Sequence, residues 1–248
     1  VEEARTNLYV RSQTLDNGDI LLEQTAAVAN ATAAPDGTTT SEQIYETAVT
    51  NVHRFYPTSG ITGTAAVYTF SVHAKAAARS KLQMVVQGSS GGTAKFDLSN
   101  GTVTSVSGGT ATATITALAN SWYRLTITLT LTATTCFPII NLLDASGTVS
   151  YAGDGSSGAY FWGAQIELGA FATSYIPTTS SSATRAADVV TFSDTTWFSG
   201  VSESLYAEWT GKGAGTNPML FGLVATNGVF IYESGAVAVK TSDVGATW

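Results

Sequence analysis

Alternation of apolar and polar residues dominates the chain. In "AAVYTFSVHAK", Tyr68, Phe70, Val72 and Ala74 fall on one side and Thr69, Ser71, His73 and Lys75 on the other. A period of two marks a strand with one face turned to a core. "WYRLTITLTLT" repeats it, with Tyr123, Leu125, Ile127, Leu129 and Leu131 inward and Trp122, Arg124, Thr126, Thr128 and Thr130 outward. "AYFWGAQIEL" reads the same way: Tyr160, Trp162, Ala164, Ile166 and Leu168 share the inner face, and Phe161, Gln165 and Glu167 the outer one. Shorter strands are predicted at "KLQMVVQ", "TAKFDLS", "TATATITAL" and "FPIINLL". The turn signals "APDGT", "GSSGG", "SNG", "SGG", "DASG" and "AGDGSSG" separate them. Short strands between such turns predict an antiparallel sandwich rather than βαβ units. Ala74–Lys81 predicts a single helical turn at most.

The pattern pauses once. After Tyr175 and Ile176, Pro177 lacks the N–H a strand interior needs, and "TTSSSATRAAD" follows. This predicts a first unit over 1–178, an exposed, unpaired Ser/Thr-rich linker over 179–188, and a second unit over 189–248. The other reading is a long surface loop within one large fold. The second unit offers four strands, "SLYAEWT", "PMLFGLV", "GVFIYE" and "AVAVK". A sandwich takes about 100 residues, so this β unit is incomplete: small, completed by another chain, or continued beyond Trp248. Too few strands to cover both faces also predicts a homo-oligomer.

Composition narrows the classes. Charged residues are only 12% of the 248, so Ser, Thr, Asn and Gly must cover the surface, as suits β-structure. With 11 Lys and Arg against a net charge of −7, and no basic cluster, nucleic acid is not an expected partner. The lone Cys136 excludes an internal disulfide. No apolar run approaches the ~18 residues of a membrane span. "VEEARTNLYV" lacks the basic start and apolar stretch of a signal peptide. The protein is therefore expected to stay inside, to be processed, or to leave by another route such as a virus particle.

Several stretches together carry a family resemblance: "APDGTTT", "YTFSVHAKAAARS", "KFDLSNGTV", "SWYRLTITLT" and "YAGDGSSGAYFWGAQIELGAFATSYIPTTSSSATRAAD". They resemble a carbohydrate-binding-module-like jelly roll of phage and prophage tail proteins, over roughly Asn7 to Asp188. "ESLYAEWTGKGAG" is similar to the start of a laminin-G or concanavalin-like sandwich. "LDNGDILLEQTAAVAN" departs from the family in lacking an aromatic after the first strand. The resemblance implies an all-β jelly-roll sandwich and a non-catalytic, virion tail-associated role in host attachment. Its implied partners are a host-surface glycan and other virion proteins. The alternatives are a purely structural virion protein, and the accessory domain of a polysaccharide-degrading enzyme.

Catalytic patterns are weak. No pair of acids close in sequence flanks an aromatic platform, as glycoside hydrolysis would want. His53 and His73 are the only histidines, and neither neighbours a nucleophile motif. No enzyme activity and no cofactor are expected. Jelly rolls of the resembled kind often hold one structural calcium, but Asp154 is the only acid in "YAGDGSSG", and the favoured reading is an Asx cap of the turn. Sugar binding asks for flat aromatics with polar neighbours. Trp162 is read as core. The candidate ligand-binding residues are His73, Lys75, Trp122, Arg124, Tyr151, Gln165 and Glu167. If the strands of His73 and Gln165 share a sheet, His73, Lys75, Gln165 and Glu167 form one polar patch, for which an ordinary solvated face is the favoured reading. Trp122 serves equally well as a plug at a strand start. In the second unit one of Tyr206 and Trp209 is expected to be exposed.

Overall fold

The computed structural model describes residues 1–88, 90–132 and 135–190, with the backbone of 219–222, 229–234 and 236–241. It divides into two compact units, Val1–Thr191 and Phe192–Trp248. The strands of the first unit begin with β1 (Arg5–Asn7), β2 (Ile20–Glu23), β3 (Thr25–Thr32), β4 (Ser41–Glu46), β5 (Thr50–Pro57) and β6 (Ile61–Thr62). They continue with β7 (Ala66–Ala76), β8 (Lys81–Gln87), β9 (Gly92–Asp97), β10 (Thr102–Ser107) and β11 (Thr112–Ala117). β12 (Trp122–Leu131), β13 (Thr135–Leu142), β14 (Ser150–Ala152), β15 (Gly158–Leu168) and β16 (Ala183–Arg185) complete it. Among the described residues the only helical element is a 3₁₀ turn at Ala119–Ser121.

These strands make a jelly-roll-type β-sandwich. One sheet runs β10-β9-β8-β13-β5-β14, with β2 on β5 and β6 on β13. The other runs β11-β12-β7-β15-β4-β3. Every pairing is antiparallel. The core between the sheets is built from the alternating apolar positions. Phe70, Val72 and Ala74 of β7 and Leu125, Ile127 and Leu129 of β12 are buried in it. Phe55 of β5 meets Phe161 of β15 edge-on, ring centres 4.9 Å apart. Tyr9 stacks on Phe70 at 6.0 Å.

Three expectations need correction. First, β15 does not alternate strictly. Opposite β7, Trp162 pairs with His73 and Gln165 with Ser71, so the strand holds one extra residue, a β-bulge. Gly163 occupies it at φ +64°, where a side chain is strained. Phe161, Ala164 and Ile166 therefore face the core, while Trp162 faces the other side and packs with Trp122, Tyr160 and Tyr175. Leu168 is half exposed.

Second, the residues read as a linker over 179–188 contain a strand. β16 pairs with β1 in the register Arg5↔Arg185, Thr6↔Thr184, Asn7↔Ala183. The Asp188 N–H donates to the Glu2 carbonyl at 2.9 Å, and the Glu2 N–H to the Asp188 carboxylate at 2.8 Å. The Ala-Thr-Arg run finds its partner nearly the whole unit away in sequence, which local composition could not show.

Third, the outer face of the β12-β7-β15 sheet is not open water-facing surface. Thr69, Ser71, His73, Gln165 and Glu167 are all buried, because two other segments lie over them.

In the second unit β17 (Met219–Gly222), β18 (Val229–Ser234) and β19 (Ala236–Thr241) form a three-stranded antiparallel sheet, in agreement with three of its four predicted strands. The fourth, "SLYAEWT", with Tyr206 and Trp209, lies outside the described residues.

Candidate functional site

The outer face of β12, β7 and β15 brings most of the candidates together. Register aligns them in rows across the three strands: Trp122, Lys75 and Tyr160; then Arg124, His73 and Trp162; then Thr126, Ser71 and Gln165; then Thr128, Thr69 and Glu167. The strands of His73 and Gln165 do share a sheet, and the polar patch exists. What covers it decides its chemistry.

At one end the β3–β4 hairpin folds over the sheet. Ala34 packs against Trp122 and Trp162. The Trp122 indole N–H donates to the Ala33 carbonyl at 3.1 Å, and that of Trp162 to the Thr40 hydroxyl at 3.0 Å. Trp122 is thus buried at 1% exposure, not an open platform. The "APDGT" turn that builds this hairpin is fastened by Asp36, which accepts from the Thr38 N–H and hydroxyl at 2.9 and 2.7 Å.

At the other end residues 171–178 form a strap. Glu167 accepts the Thr173 N–H at 2.9 Å and its hydroxyl at 2.8 Å, and the Gln165 amide donates to the same carboxylate at 2.6 Å. The Gln165 carbonyl oxygen accepts the Ile176 N–H at 2.8 Å. These two side chains hold the strap, which is why they are polar yet buried. Asn7, which no sequence pattern flagged, completes the fastening. Its amide donates to the carbonyls of Ile176 (2.8 Å) and Ala164 (3.1 Å), and its oxygen accepts from Ile166 and Tyr9 N–H groups. All four of its bonding positions are used.

Between hairpin and strap the face stays partly open. Tyr160, Tyr175, Lys75 and Arg124 are half-buried. The His73 ring lies edge-on to Trp162 at 5.1 Å and near Tyr175 at 6.3 Å. Burial among these rings pulls the His73 imidazole down to about 4, with Arg124 adding to the effect, so it is neutral at pH 7. Arg124 donates from Nη2 to the Ser71 hydroxyl at 3.0 Å. Burial lowers its pKa, against the opposing fields of Glu167 and Glu2. Sequence reasoning missed Tyr160 as a surface group because it assumed unbroken alternation through Gly163.

Tyr151 stands apart from this face. A candidate ligand contact in the sequence, it is buried, at 8% exposure. Its hydroxyl donates to Glu46 at 2.6 Å, and the Arg79 guanidinium lies 5.0 Å over its ring. Arg79 also donates to Glu46 through Nε at 2.8 Å. This cluster pins the "GDGSSG" loop, since Glu46 takes the Asp154 N–H at 2.9 Å. Asp154 itself accepts the Ser156 and Ser157 N–H groups at 2.8 and 2.7 Å. The hydroxyl and N–H of Ser157, then the N–H of Ser156, hold its carboxyl well below the usual range. It caps its turn, as the favoured reading has it. Among the described residues no group of three or more His, Cys, Asp or Glu gathers as a metal site would.

A shallow cleft of about 230 Å³ lies elsewhere, lined by Leu8, Val10, Pro57, Ser59, Gly60, Ile61, Thr62 and Ser182. It gathers no charged or aromatic side chain. No helix among the described residues is long and apolar enough to cross a membrane. No family model matches the chain, and no curated protein matches it.

Proposed function

We propose that the first unit is a non-catalytic attachment module of a phage or prophage tail, binding a host-surface glycan on the outer face of β12, β7 and β15. The observation that carries this reading is one row of side chains. Lys75 sits in register between Trp122 and Tyr160, and two half-exposed rings, Tyr160 and Tyr175, pack on the Trp122 and Trp162 cluster of the same face. A pyranose can lay its C–H face on such rings while a cation bonds its hydroxyls. The virion setting rests on the sequence resemblance. Binding of the full chain to a glycan array tests the reading. Tyr160→Ala should abolish retention on any array hit while the chain still folds, with a modest fall in melting temperature, because Tyr160 is half-buried on the Trp122 and Trp162 cluster and outside the main core. Retention unaffected by Tyr160→Ala would remove this face as the site.

A structural role in the virion is favoured by a different observation. Gln165, Glu167 and His73 are buried, and the first two spend their polar atoms on the strap. On that reading the face is an internal layer, and electron microscopy should locate the protein between other tail subunits.

A further inference from the structure

Asp36 lies in the turn of the β3–β4 hairpin, which covers one end of the aromatic face. Its Oδ1 is spent on the hairpin, accepting the Thr38 N–H at 2.9 Å and the Thr38 hydroxyl at 2.7 Å. The Thr38 and Thr40 hydroxyls lie 2.7 Å apart, and the Trp162 indole N–H donates to Thr40 at 3.0 Å. One assignment of protons satisfies the row. Thr38 donates its single hydroxyl proton to Asp36, so Thr40 donates to Thr38, and the Thr40 oxygen accepts from Trp162. Every donor in this chain points toward the carboxylate.

The chain ties Asp36 to the aromatic cluster. Two residues before it, Ala34 packs on Trp122 and Trp162, and the Trp162 ring lies 4.4 Å from that of Tyr175. The Asp36 charge is felt at Tyr175 and His73. It adds to the burial that raises the Tyr175 phenol, and it opposes the burial and the Arg124 charge that lower the His73 imidazole. Asp36 itself is exposed. Among the described residues no donor reaches its Oδ2 and no cation lies within 4.0 Å of it, whereas Asp19, Glu23, Asp97 and Asp154 each have one.

One carboxylate oxygen is thus fixed by the hairpin, and the other is an acceptor that no group of this chain serves. We propose that Asp36 is a ligand contact of the glycan-binding face, its Oδ2 accepting a hydroxyl of the sugar that stacks on Tyr175. This rests on the glycan-binding reading and adds the chemistry the sugar must show there, a free hydroxyl. Such a hydroxyl makes a charge-assisted hydrogen bond. An ether, an ester or a uronate carboxylate in its place has no proton to give, and leaves the Asp36 oxygen stripped of water without a partner.

The test uses the full chain on an array of hexose and uronate oligomers, with each oligomer that binds remade in its monodeoxy forms. Deoxygenation at one ring position should weaken wild-type binding roughly tenfold or more, the worth of a hydrogen bond to a charged group. Asp36→Asn keeps Oδ1 as the cap of Thr38 and exchanges Oδ2 for an NH₂ group. It should weaken binding of the parent sugar by the same factor and be indifferent to that one deoxygenation. Asp36→Ser, which still caps the Thr38 N–H, should do likewise. Either variant binding the parent sugar as the wild type does would overturn the inference and leave the glycan-binding reading standing. A loss of equal size for the parent and all its deoxy forms would mark a damaged hairpin instead of a missing acceptor, and would overturn it too. Binding to no oligomer would overturn both.

Discussion

Thr173 donates its backbone N–H and its hydroxyl to the carboxylate of Glu167, at 2.9 and 2.8 Å, and both residues are buried. With Gln165 as a third donor, this carboxylate is the anchor of the 171–178 strap. Glu167→Gln replaces one acceptor oxygen by an N–H₂ group aimed at donors. A buried polar group left unmatched costs about 1–3 kcal/mol. The melting temperature should fall by roughly 2–12 °C in a unit of this size, and hydrogen exchange at Thr173 and Ile176 should quicken. An unchanged melting curve would mean that the strap is held by Asn7 and apolar packing alone.

That relationship also shows where sequence reading stops. Alternation names the residues opposite the core, and for β7 and β12 it named the core side well, because an inter-sheet core selects apolar groups at every second position. It does not say whether anything lies over the other side. Thr69, Ser71 and His73 look like a solvated face until the hairpin and strap are seen above them. The bulge at Gly163 was the one legible warning, since a lone glycine inside a strand pattern marks such a defect. The pairing of β16 with β1 left no local trace, because its partner lies at the opposite end of the unit's sequence.

Two buried groups should give the fold an unusual pH dependence. The His73 imidazole is lowered by burial to about 4, so between about pH 6.5 and 4 the unfolded chain binds a proton that the folded one does not. Stability on this account falls as the pH drops through that window, by on the order of 3 kcal/mol in all. Glu42 runs the other way. Burial, then the nearby Asp16, raises it from its ordinary 4.5 to about 8. Its contribution is complete below pH 4.5 and is lost as the pH rises toward 8. The wild type should therefore vary little near pH 5–6 and lose stability from pH 6.5 to 8. Glu42→Gln should expose the acid-side slope alone, and His73→Gln the alkaline-side slope alone. Urea denaturation at pH 5, 6.5 and 8 reads both; parallel profiles for all three proteins would refute the assignment.

The β1–β16 pairing makes Arg185 a poor protease site. Besides its strand bonds, its guanidinium reaches Glu2, whose carboxylate also accepts the Ser174 N–H at 3.0 Å. Cleavage needs several residues to leave the sheet, which these contacts oppose. Limited trypsin treatment of the intact chain should leave the Arg185–Ala186 bond among the slow sites. Removing residues 1–4, which takes away the Glu2 and Glu3 contacts and leaves β1, should make cleavage there faster. Equal rates in the two proteins, measured by mass spectrometry of early fragments, would show that the N-terminal segment does not protect it.

Gly163 separates two effects that are usually confounded. At φ +64° a Cβ is strained, and here it would stand 3.0 Å from His73 Nδ1 and 3.3 Å from the Tyr175 ring. Gly163→Ala should therefore cost about 1–2 kcal/mol from the backbone alone, with crowding added. Deleting Gly163 is predicted to be tolerated by the ladder. The pairs Trp162↔His73 and Gln165↔Ser71 bracket two residues of β15 against one of β7, so removing one restores one-to-one pairing without moving either flank to the other face. The deletion should keep Trp162 buried, with its fluorescence still blue-shifted, while changing the local bend that sets Tyr160 beside Lys75. If glycan retention is lost in the deletion variant while Trp162 stays buried, the bulge serves the binding face. If Trp162 becomes exposed, the extra residue is needed for the fold itself, and the one-to-one ladder is not reached.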